Sequence, residues 1–162
     1  MLFRSWENDE GVFTGERLLA CAAAHGAALW EVATGRCLLT VQPPEGVETD
    51  SVAMTPDGAL VLTGDTDHRI RVWDARDGRL LRTLAGHGGA VELLAVSPDG
   101  RTLASYAQDL VVKLWSLPTG RELMTMPGRD QLRRVLFTPD GLGLAVANAW
   151  AGAGVRRADA VK

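Results

Sequence analysis

The chain lacks the features that mark several classes of protein. No apolar run approaches the ~20 residues that a membrane span needs, and the start MLFRSWENDE has no apolar core of a secretory signal. A formal charge of −3 excludes a polycation built to coat nucleic acid. The 18 glycines keep no G-x-y period, which excludes collagen. With 46% hydrophobic residues, the chain has too many apolar side chains to be disordered.

What the chain does have is an internal repeat. The tetrapeptides TPDG at 55–58, SPDG at 97–100 and TPDG at 138–141 start 42 and 41 residues apart. The tetrapeptides LWEV, VWDA and LWSL keep the same rhythm, and each is followed by a turn sequence, ATGR, RDGR or PTGR. A period of about 42 residues is typical of four-stranded propeller blades.

Turn chemistry and alternation divide each repeat into four strands, a to d. In the unit 51–85, Pro56 presets φ for a type I turn, and Gly78 suits a tight hairpin. Residues 69–74 alternate charged with apolar side chains, which predicts a strand with one buried face. The predicted strands are 2–6, 18–23, 27–32 and 37–42, then 51–55, 60–64, 69–74 and 80–85, then 91–97, 102–107, 111–116 and 122–126, and finally 133–138, 142–148 and 155–160.

One segment, 18–30, is rich in alanine and favours a helix by propensity. Its register favours strands, because Gly15 stands 15 residues before Trp30, as Gly58 stands before Trp73. We therefore predict an all-β fold of four-stranded antiparallel blades, forming one partial propeller over 1–162. The predicted blades are approximately 1–42, 50–85, 90–127 and 132–162, and the last lacks strand d.

These repeats resemble the WD-repeat β-propeller family, most closely over 86–116, with Gly86-His87, SPDG and Trp115-Ser116. In that family a His before strand a, a Ser or Thr on strand b, an Asp in the b–c turn and the Trp on strand c form a hydrogen-bonded network. The resemblance assigns this network to His87, Ser105, Asp109 and Trp115. The preceding unit has Thr63, Asp67 and Trp73, with Glu45 in the place of the His. The first unit keeps only Trp30, with Ala20 and Ala24 at the other places, and the last has Val146 in the place of the Ser.

His87, Ser105 and Asp109 also have the residue types of a hydrolase triad. We interpret them as scaffolding, because Thr63 and Asp67 stand at the matching places one period earlier. No Gly-rich phosphate loop and no metalloprotease or hydrolase motif appears. We therefore predict a protein that is not an enzyme and uses no cofactor.

The cysteines do not predict a metal site or a disulfide. Cys21 and His25 have helical pair spacing, but they fall in a strand and turn region, and no second Cys/His pair exists. Cys37 lies two strands away from Cys21, roughly 9.6 Å, against the ~7 Å limit for a bridge. We expect two reduced, mostly buried thiols and a cytoplasmic protein.

The resemblance also implies a binding surface, since partners of such propellers commonly dock where the d–a loops and b–c turns meet. The positions that match are Glu48, Asp50, Thr66, Glu92, Gln108, Arg133 and Trp150. We hypothesise that Trp150 and the three acidic residues bind a basic protein or peptide. The alternative is that Trp150 packs against a missing blade or folds under its loop.

Residues 129–162 carry a net charge of +3. We interpret this charge as belonging to a solvated edge of the fold, so we expect no nucleic acid partner.

Propellers close with about four to eight blades, and those of the WD type usually have seven, sometimes six or eight. This chain supplies four at most, the last without strand d, so we expect an open ring. The chain is then a piece or relic of a longer propeller, or two chains pair into an eight-blade ring. Unpaired end blades also favour self-association. The sequence thus predicts a non-catalytic WD-repeat scaffold that binds a protein or peptide, with no membrane partner. The alternative is an accessory propeller region of a longer enzyme-bearing chain.

Overall fold

The computed structural model describes residues 11–14, 18–23, 26–128, 131–148 and 153–157. Every regular element in these residues is a β-strand, so none of them is a helix able to cross a membrane. The strands are β1 (Gly11–Thr14), β2 (Leu18–Ala23), β3 (Gly26–Glu31), β4 (Arg36–Val41), β5 (Thr49–Met54), β6 (Leu60–Asp65), β7 (Arg69–Asp74), β8 (Leu80–Ala85), β9 (Val91–Val96), β10 (Thr102–Ala107), β11 (Val111–Ser116), β12 (Glu122–Pro127), β13 (Leu132–Phe137), β14 (Gly143–Asn148) and β15 (Ala153–Arg157).

The strands form four antiparallel sheets in chain order, here called blades 1 to 4. Blades 1, 2 and 3 have four strands each, and blade 4 has three within the described residues. The predicted all-β fold of four-stranded antiparallel blades is confirmed, and the alanine-rich segment 18–23 is a strand. The predicted strand 2–6 lies outside the described residues, and the strand that pairs with β2 is Gly11–Thr14.

The turn between strands a and b is built by the same side chains in each later blade. In blade 2, Asp57 accepts hydrogen bonds from the Thr55 hydroxyl at 2.6 Å and from the Ala59 N–H at 3.0 Å. The Gly58 N–H then closes the turn on the Thr55 carbonyl, with a φ of 72° that glycine tolerates best. Ser97 with Asp99 and Thr138 with Asp140 repeat this arrangement in blades 3 and 4. The repeated tetrapeptide is therefore a turn signal.

Blades 2 and 3 each pack one sheet face on the blade before and the other on the blade after. Three apolar clusters lie at the three contacts, around Val61 and Trp73, around Leu62 and Leu103, and around Tyr106 with residues of blade 4. Strand β7 is buried on both faces, so the prediction of one buried face for 69–74 is wrong. The charged residue Arg71 is only 3% exposed, because the neighbouring blade covers the face on which it lies.

A β-bulge recurs beside the tryptophan in the three four-stranded blades. The pairing between strands c and d shifts register at Leu29/Trp30, at Val72/Trp73 and at Leu114/Trp115. A bulge bends its strand and increases the local twist, which re-aims the side chains near it. The extra residue, Leu38, Leu81 or Leu123, lies on strand d in each case, so the bulge bends the outer strand of the blade.

Candidate functional site

The four residues assigned to the blade 3 network form one chain of hydrogen bonds. The Trp115 indole N–H donates to the Ser105 hydroxyl oxygen over 2.8 Å. Nε2 of His87 lies 2.7 Å from the same oxygen, and Nδ1 of His87 lies 3.0 Å from Oδ2 of Asp109. Asp109 also accepts from the backbone N–H groups of Gly88 and Val111. The network thus ties the loop before β9 to the turn after β10.

The direction of each bond follows from the ionised carboxylate, which can only accept. Nδ1 of His87 therefore carries the proton, and Nε2 of the neutral ring accepts from the Ser105 hydroxyl. Burial lowers the pKa of His87, although Asp109 acts in the opposite direction. Burial acts to raise the pKa of Asp109, but the Gly88 N–H and His87 hold it below its usual value. Both shifts favour a neutral imidazole on an ionised carboxylate.

This arrangement predicts that the protein loses stability on mild acidification. The unfolded chain takes up a proton at His87 near its ordinary pKa of 6.5, whereas the folded chain, whose His87 pKa is lower, does not. The unfolding free energy should therefore fall as the pH drops through about 6.5 towards the pKa of the folded state. Urea unfolding of wild type and His87→Gln between pH 7.5 and 5 measures it, and the His87→Gln curve should be flatter. Parallel curves for the two proteins would contradict the prediction.

Blade 2 completes its network with residues that the sequence did not single out. The Trp73 indole donates to the Thr63 hydroxyl at 3.1 Å, as predicted from the repeat, and Thr63 contacts Asp65 at 3.3 Å. Asp65 is fully buried and also accepts from Thr49 at 2.7 Å and from Nη1 of Arg71. Burial raises the pKa of Asp65, and the bonds from Thr49 and Arg71 only partly offset this effect.

Arg71 joins this buried carboxylate to the predicted turn residue Asp67. Its guanidinium bonds both oxygens of Asp67, at 3.0 and 2.6 Å. Burial acts to raise the pKa of Asp67, but Arg71 lowers it. Glu45, which stands where the family has a His, is exposed. The turn aspartate of blade 2, Asp67, is thus paired with Arg71, whereas its counterpart in blade 3, Asp109, is paired with His87.

The sequence predicts weaker tryptophan networks in blades 1 and 4 than in blades 2 and 3. Trp30 is only partly buried, whereas Trp73 is 6% and Trp115 2% exposed. The side chains of Ala20 and Ala24 lie outside the described residues. In blade 4, Val146 occupies the place of the Ser and packs in the cluster between blades 3 and 4. Because valine has no hydroxyl, it cannot take part in a hydrogen-bonded network, and apolar packing takes the place of the network in blade 4.

In blades 2 and 3, predicted binding positions lie where the start of strand a meets the turn after strand b. Glu48 and Thr66 are joined by two bonds, from the Thr66 N–H at 2.9 Å and to the Thr66 hydroxyl at 3.0 Å. The Gln108 N–H bonds the Ala90 carbonyl at 2.9 Å in the same way one blade later. Glu48, Asp50, Gln108 and Arg133 are exposed, and Thr66 and Glu92 are half-buried. Trp150 lies outside the described residues.

At this end of blades 2 and 3, the negative charges of Glu48 and Glu92 act on the carboxyl group of Asp50. Although Asp50 as a residue is exposed, partial desolvation of its carboxyl group raises its pKa, and the negative charges of Glu92 and Glu48 raise it further. The buried carboxylate of Asp65 adds to the same effect. Repulsion of this kind is relieved when a cation binds nearby. We call Glu48, Asp50 and Glu92 the acidic patch.

The b–c turns that border the acidic patch hold two residues in the left-handed region. His68 has a φ of 68° and Leu110 a φ of 61°, and Leu110 is 45% exposed. A bulky side chain in this conformation carries strain on the order of 1 kcal/mol or more. Sequence reasoning missed these positions, because the turn sequences there contain no glycine.

The predicted burial of the thiols is wrong for Cys37, which is exposed. Strand β3 lies between the strands that carry the two cysteines, with Cys21 opposite Ala28 and Cys37 opposite Trp30. The side chain of Cys21 lies outside the described residues. In the described part of the chain, no three His, Cys, Asp or Glu side chains are grouped as a metal site requires.

The repeated blades, the tryptophan networks and the recurring turns define a propeller-type repeat protein. The family profile "WD domain, G-beta repeat" matches residues 35–74 and 78–116. These two segments are WD repeats, and the resemblance inferred from the sequence is confirmed.

Several curated proteins are similar to this chain over part of its length. Autophagy-related protein 16 of Arabidopsis thaliana is 30% identical over 83 residues, covering 51% of this chain and 16% of that protein. WD repeat and SOCS box-containing protein 1 of Xenopus tropicalis is 37% identical over 73 residues, covering 43% and 17%. Protein Notchless of Drosophila melanogaster is 36% identical over 73 residues, covering 44% and 14%. The matched part is less than a fifth of each relative.

Proposed function

We propose that this chain is a non-catalytic WD-repeat scaffold that binds a basic protein or peptide at the acidic patch. The observation that carries the proposal is that Glu48 and Asp50 are exposed and Glu92 is half-buried at the same end of blades 2 and 3, near enough for Glu92 and Glu48 to add to the raised pKa of Asp50. Rigid strands and turns present these side chains, which lowers the entropy cost of binding. The exposed free thiol of Cys37 fits the cytoplasmic location that we also propose.

The absence of catalysis is part of the proposal, and the burial of the network supports it. A triad serine must present its hydroxyl to a substrate. Ser105 is 0% exposed, and its oxygen already accepts from the Trp115 indole. The matching hydroxyl in blade 2, that of Thr63, is equally buried and bonded to Trp73. Because both hydroxyls are buried and bonded to the tryptophan of their own blade, their equivalence supports a structural role for Ser105 and Thr63.

Charge reversal in the acidic patch tests the proposed partner chemistry. Glu92→Lys should weaken binding of Arg- and Lys-rich synthetic peptides roughly tenfold, or about 1.4 kcal/mol, because the charge that attracts them is inverted. Fluorescence anisotropy at low and physiological salt measures the affinity. The matched control is Asp77→Lys, the same change on an exposed c–d turn at the opposite end of blade 2.

A pull-down from the native host extends the test to natural partners and to Trp150. Wild type, Asp77→Lys, and the combined variant Trp150→Ala with Glu92→Lys serve as baits. The proposal expects the combined variant alone to lose its partners. If all three baits capture the same proteins equally well, the binding surface lies elsewhere. The role of an accessory region in a longer enzyme-bearing chain remains the alternative, and no described contact favours it.

A further inference from the structure

Strand a of blades 2, 3 and 4 has a β-bulge at the same place, near its start. In each blade the pairing with strand b skips one residue of strand a, and the skipped residues are Asp50, Glu92 and Arg133. The extra residue of a bulge has no partner in the ladder, and the local twist re-aims its side chain. All three extra residues are charged. We call Asp50, Glu92 and Arg133 the bulge row.

The bulges keep these charged side chains accessible within a buried stretch of backbone. Thr49 and Ser51 are buried on either side of Asp50, which is exposed. Glu92 is half-buried between two buried neighbours, and Arg133 is exposed. None of the three takes part in an ion pair with another described residue. The bulge row is therefore available to pair with charges of a partner.

The three bulged strands lie side by side in blade order. Strand β9 of blade 3 contacts β5 of blade 2 and β13 of blade 4. The Ser51 hydroxyl donates to the Val91 carbonyl over 2.9 Å, and these two residues are the chain neighbours of Asp50 and Glu92. Partial desolvation raises the pKa of Asp50, and the nearby charge of Glu92 adds to this effect. The signs of the bulge row are thus negative, negative and positive across blades 2, 3 and 4.

A row with opposite signs at its two ends can distinguish the order of charges in a bound chain. A carboxylate placed over Glu92, or an ammonium group placed over Arg133, is repelled. Like charges that face each other across an interface suppress the wrong arrangement, whereas complementary charges favour the right one. A row of one sign would attract by net charge alone and could not select an order.

We propose that the bulge row selects a peptide segment in which two basic residues lie at one end and an acidic residue lies at the other. The basic side chains pair with Asp50 and Glu92, and the acidic side chain pairs with Arg133. This proposal rests on the proposed function, because it specifies the partner of the acidic patch. It adds Arg133, which is not part of the acidic patch, and it requires a fixed order of charges.

Three synthetic peptides with acetylated and amidated ends test the order. Each carries charged residues at three alternate positions, because two steps of an extended chain span roughly 6.6 Å, and Cα atoms of neighbouring a strands approach within 8 Å. The end-acidic peptide has two lysines and then a glutamate, the centre-acidic peptide has the glutamate between the lysines, and the third has only lysines. Wild type should bind the end-acidic peptide roughly fivefold or more tightly than the centre-acidic one, since only the first matches the bulge row in either chain direction.

Reversing the charge of Arg133 should reverse a second preference. Wild type should bind the end-acidic peptide at least as tightly as the all-lysine peptide, and Arg133→Glu should favour the all-lysine peptide. The matched control is Arg134→Glu, the same change at the next exposed residue, which pairs with Ala147 in the ladder. Arg134→Glu should keep the wild-type preference. Fluorescence anisotropy at low salt measures all affinities, and far-ultraviolet spectra check that both variants fold.

The outcomes separate this proposal from the proposed function. Equal binding of the end-acidic and centre-acidic peptides by wild type would overturn the selection of charge order and leave the basic partner standing. An equal change of preference in Arg134→Glu and Arg133→Glu would do the same, because net charge would then explain both. If none of the peptides binds, or if Glu92→Lys does not weaken the all-lysine peptide, the proposed function fails and this proposal fails with it.

Discussion

Replacing Trp115 by alanine should lower the free energy of unfolding by about 3–5 kcal/mol. The indole is 2% exposed in the cluster between blades 2 and 3, so its removal opens a large cavity there. The substitution also removes the donor to Ser105, which leaves a buried hydroxyl short of one partner. Urea unfolding at fixed protein concentration measures the loss, since association would otherwise change the apparent stability.

Trp30→Ala is the matched comparison, because Trp30 occupies the same place in blade 1. It should cost about half as much or less, since the side chain is only partly buried and less apolar contact is lost. Trp115→Phe separates the two causes, because it keeps most of the packing and removes the N–H donor. Equal losses for Trp30→Ala and Trp115→Ala would show that the network is not graded from blade to blade.

Removing the charge of Arg71 should destabilise the protein by a similar amount, about 3–5 kcal/mol. Arg71→Met keeps much of the side-chain volume but leaves Asp65 with no cation in a fully buried position. Adding Asp65→Asn should recover a large part of the loss, because the remaining side chain is neutral and can still accept from Thr49. Thermal and urea unfolding of both variants measure the difference. A double variant no more stable than Arg71→Met would refute the idea that an unpaired buried charge causes the loss.

Much of the fold follows from spacing and local chemistry. The repeated turn sequence, the tryptophan rhythm and the glycine register predict the strands even where alanine favours a helix. The blade 3 network also follows, because the four residue types stand at the places that the family resemblance assigns. These signals are local or periodic, so a single sequence carries them.

The buried ion pair of Arg71 and Asp65 in the blade 2 network could not be predicted, because it depends on what lies across the blade contact. Arg71 alternates with apolar residues along β7, a pattern that predicts a solvent-facing side chain on a strand with one buried face. Only the packing of blade 1 against blade 2 buries that face and makes a carboxylate partner necessary. The exposure of Cys37 and the strained turn at Leu110 also depend on neighbours that the local pattern does not encode.

The single carboxylate of Asp109 holds the Gly88 amide, the Val111 amide and the His87 ring at once. These amides belong to the loop before β9 and the turn after β10, and loops and turns in most proteins open and exchange their hydrogens more readily than core strands do. Opening the loop before β9 breaks the bond from the Gly88 amide to the same carboxylate oxygen that orients the His87 imidazole, and the imidazole leads through Ser105 to the buried Trp115 indole. Local fluctuation of this loop is therefore coupled to the core of blade 3.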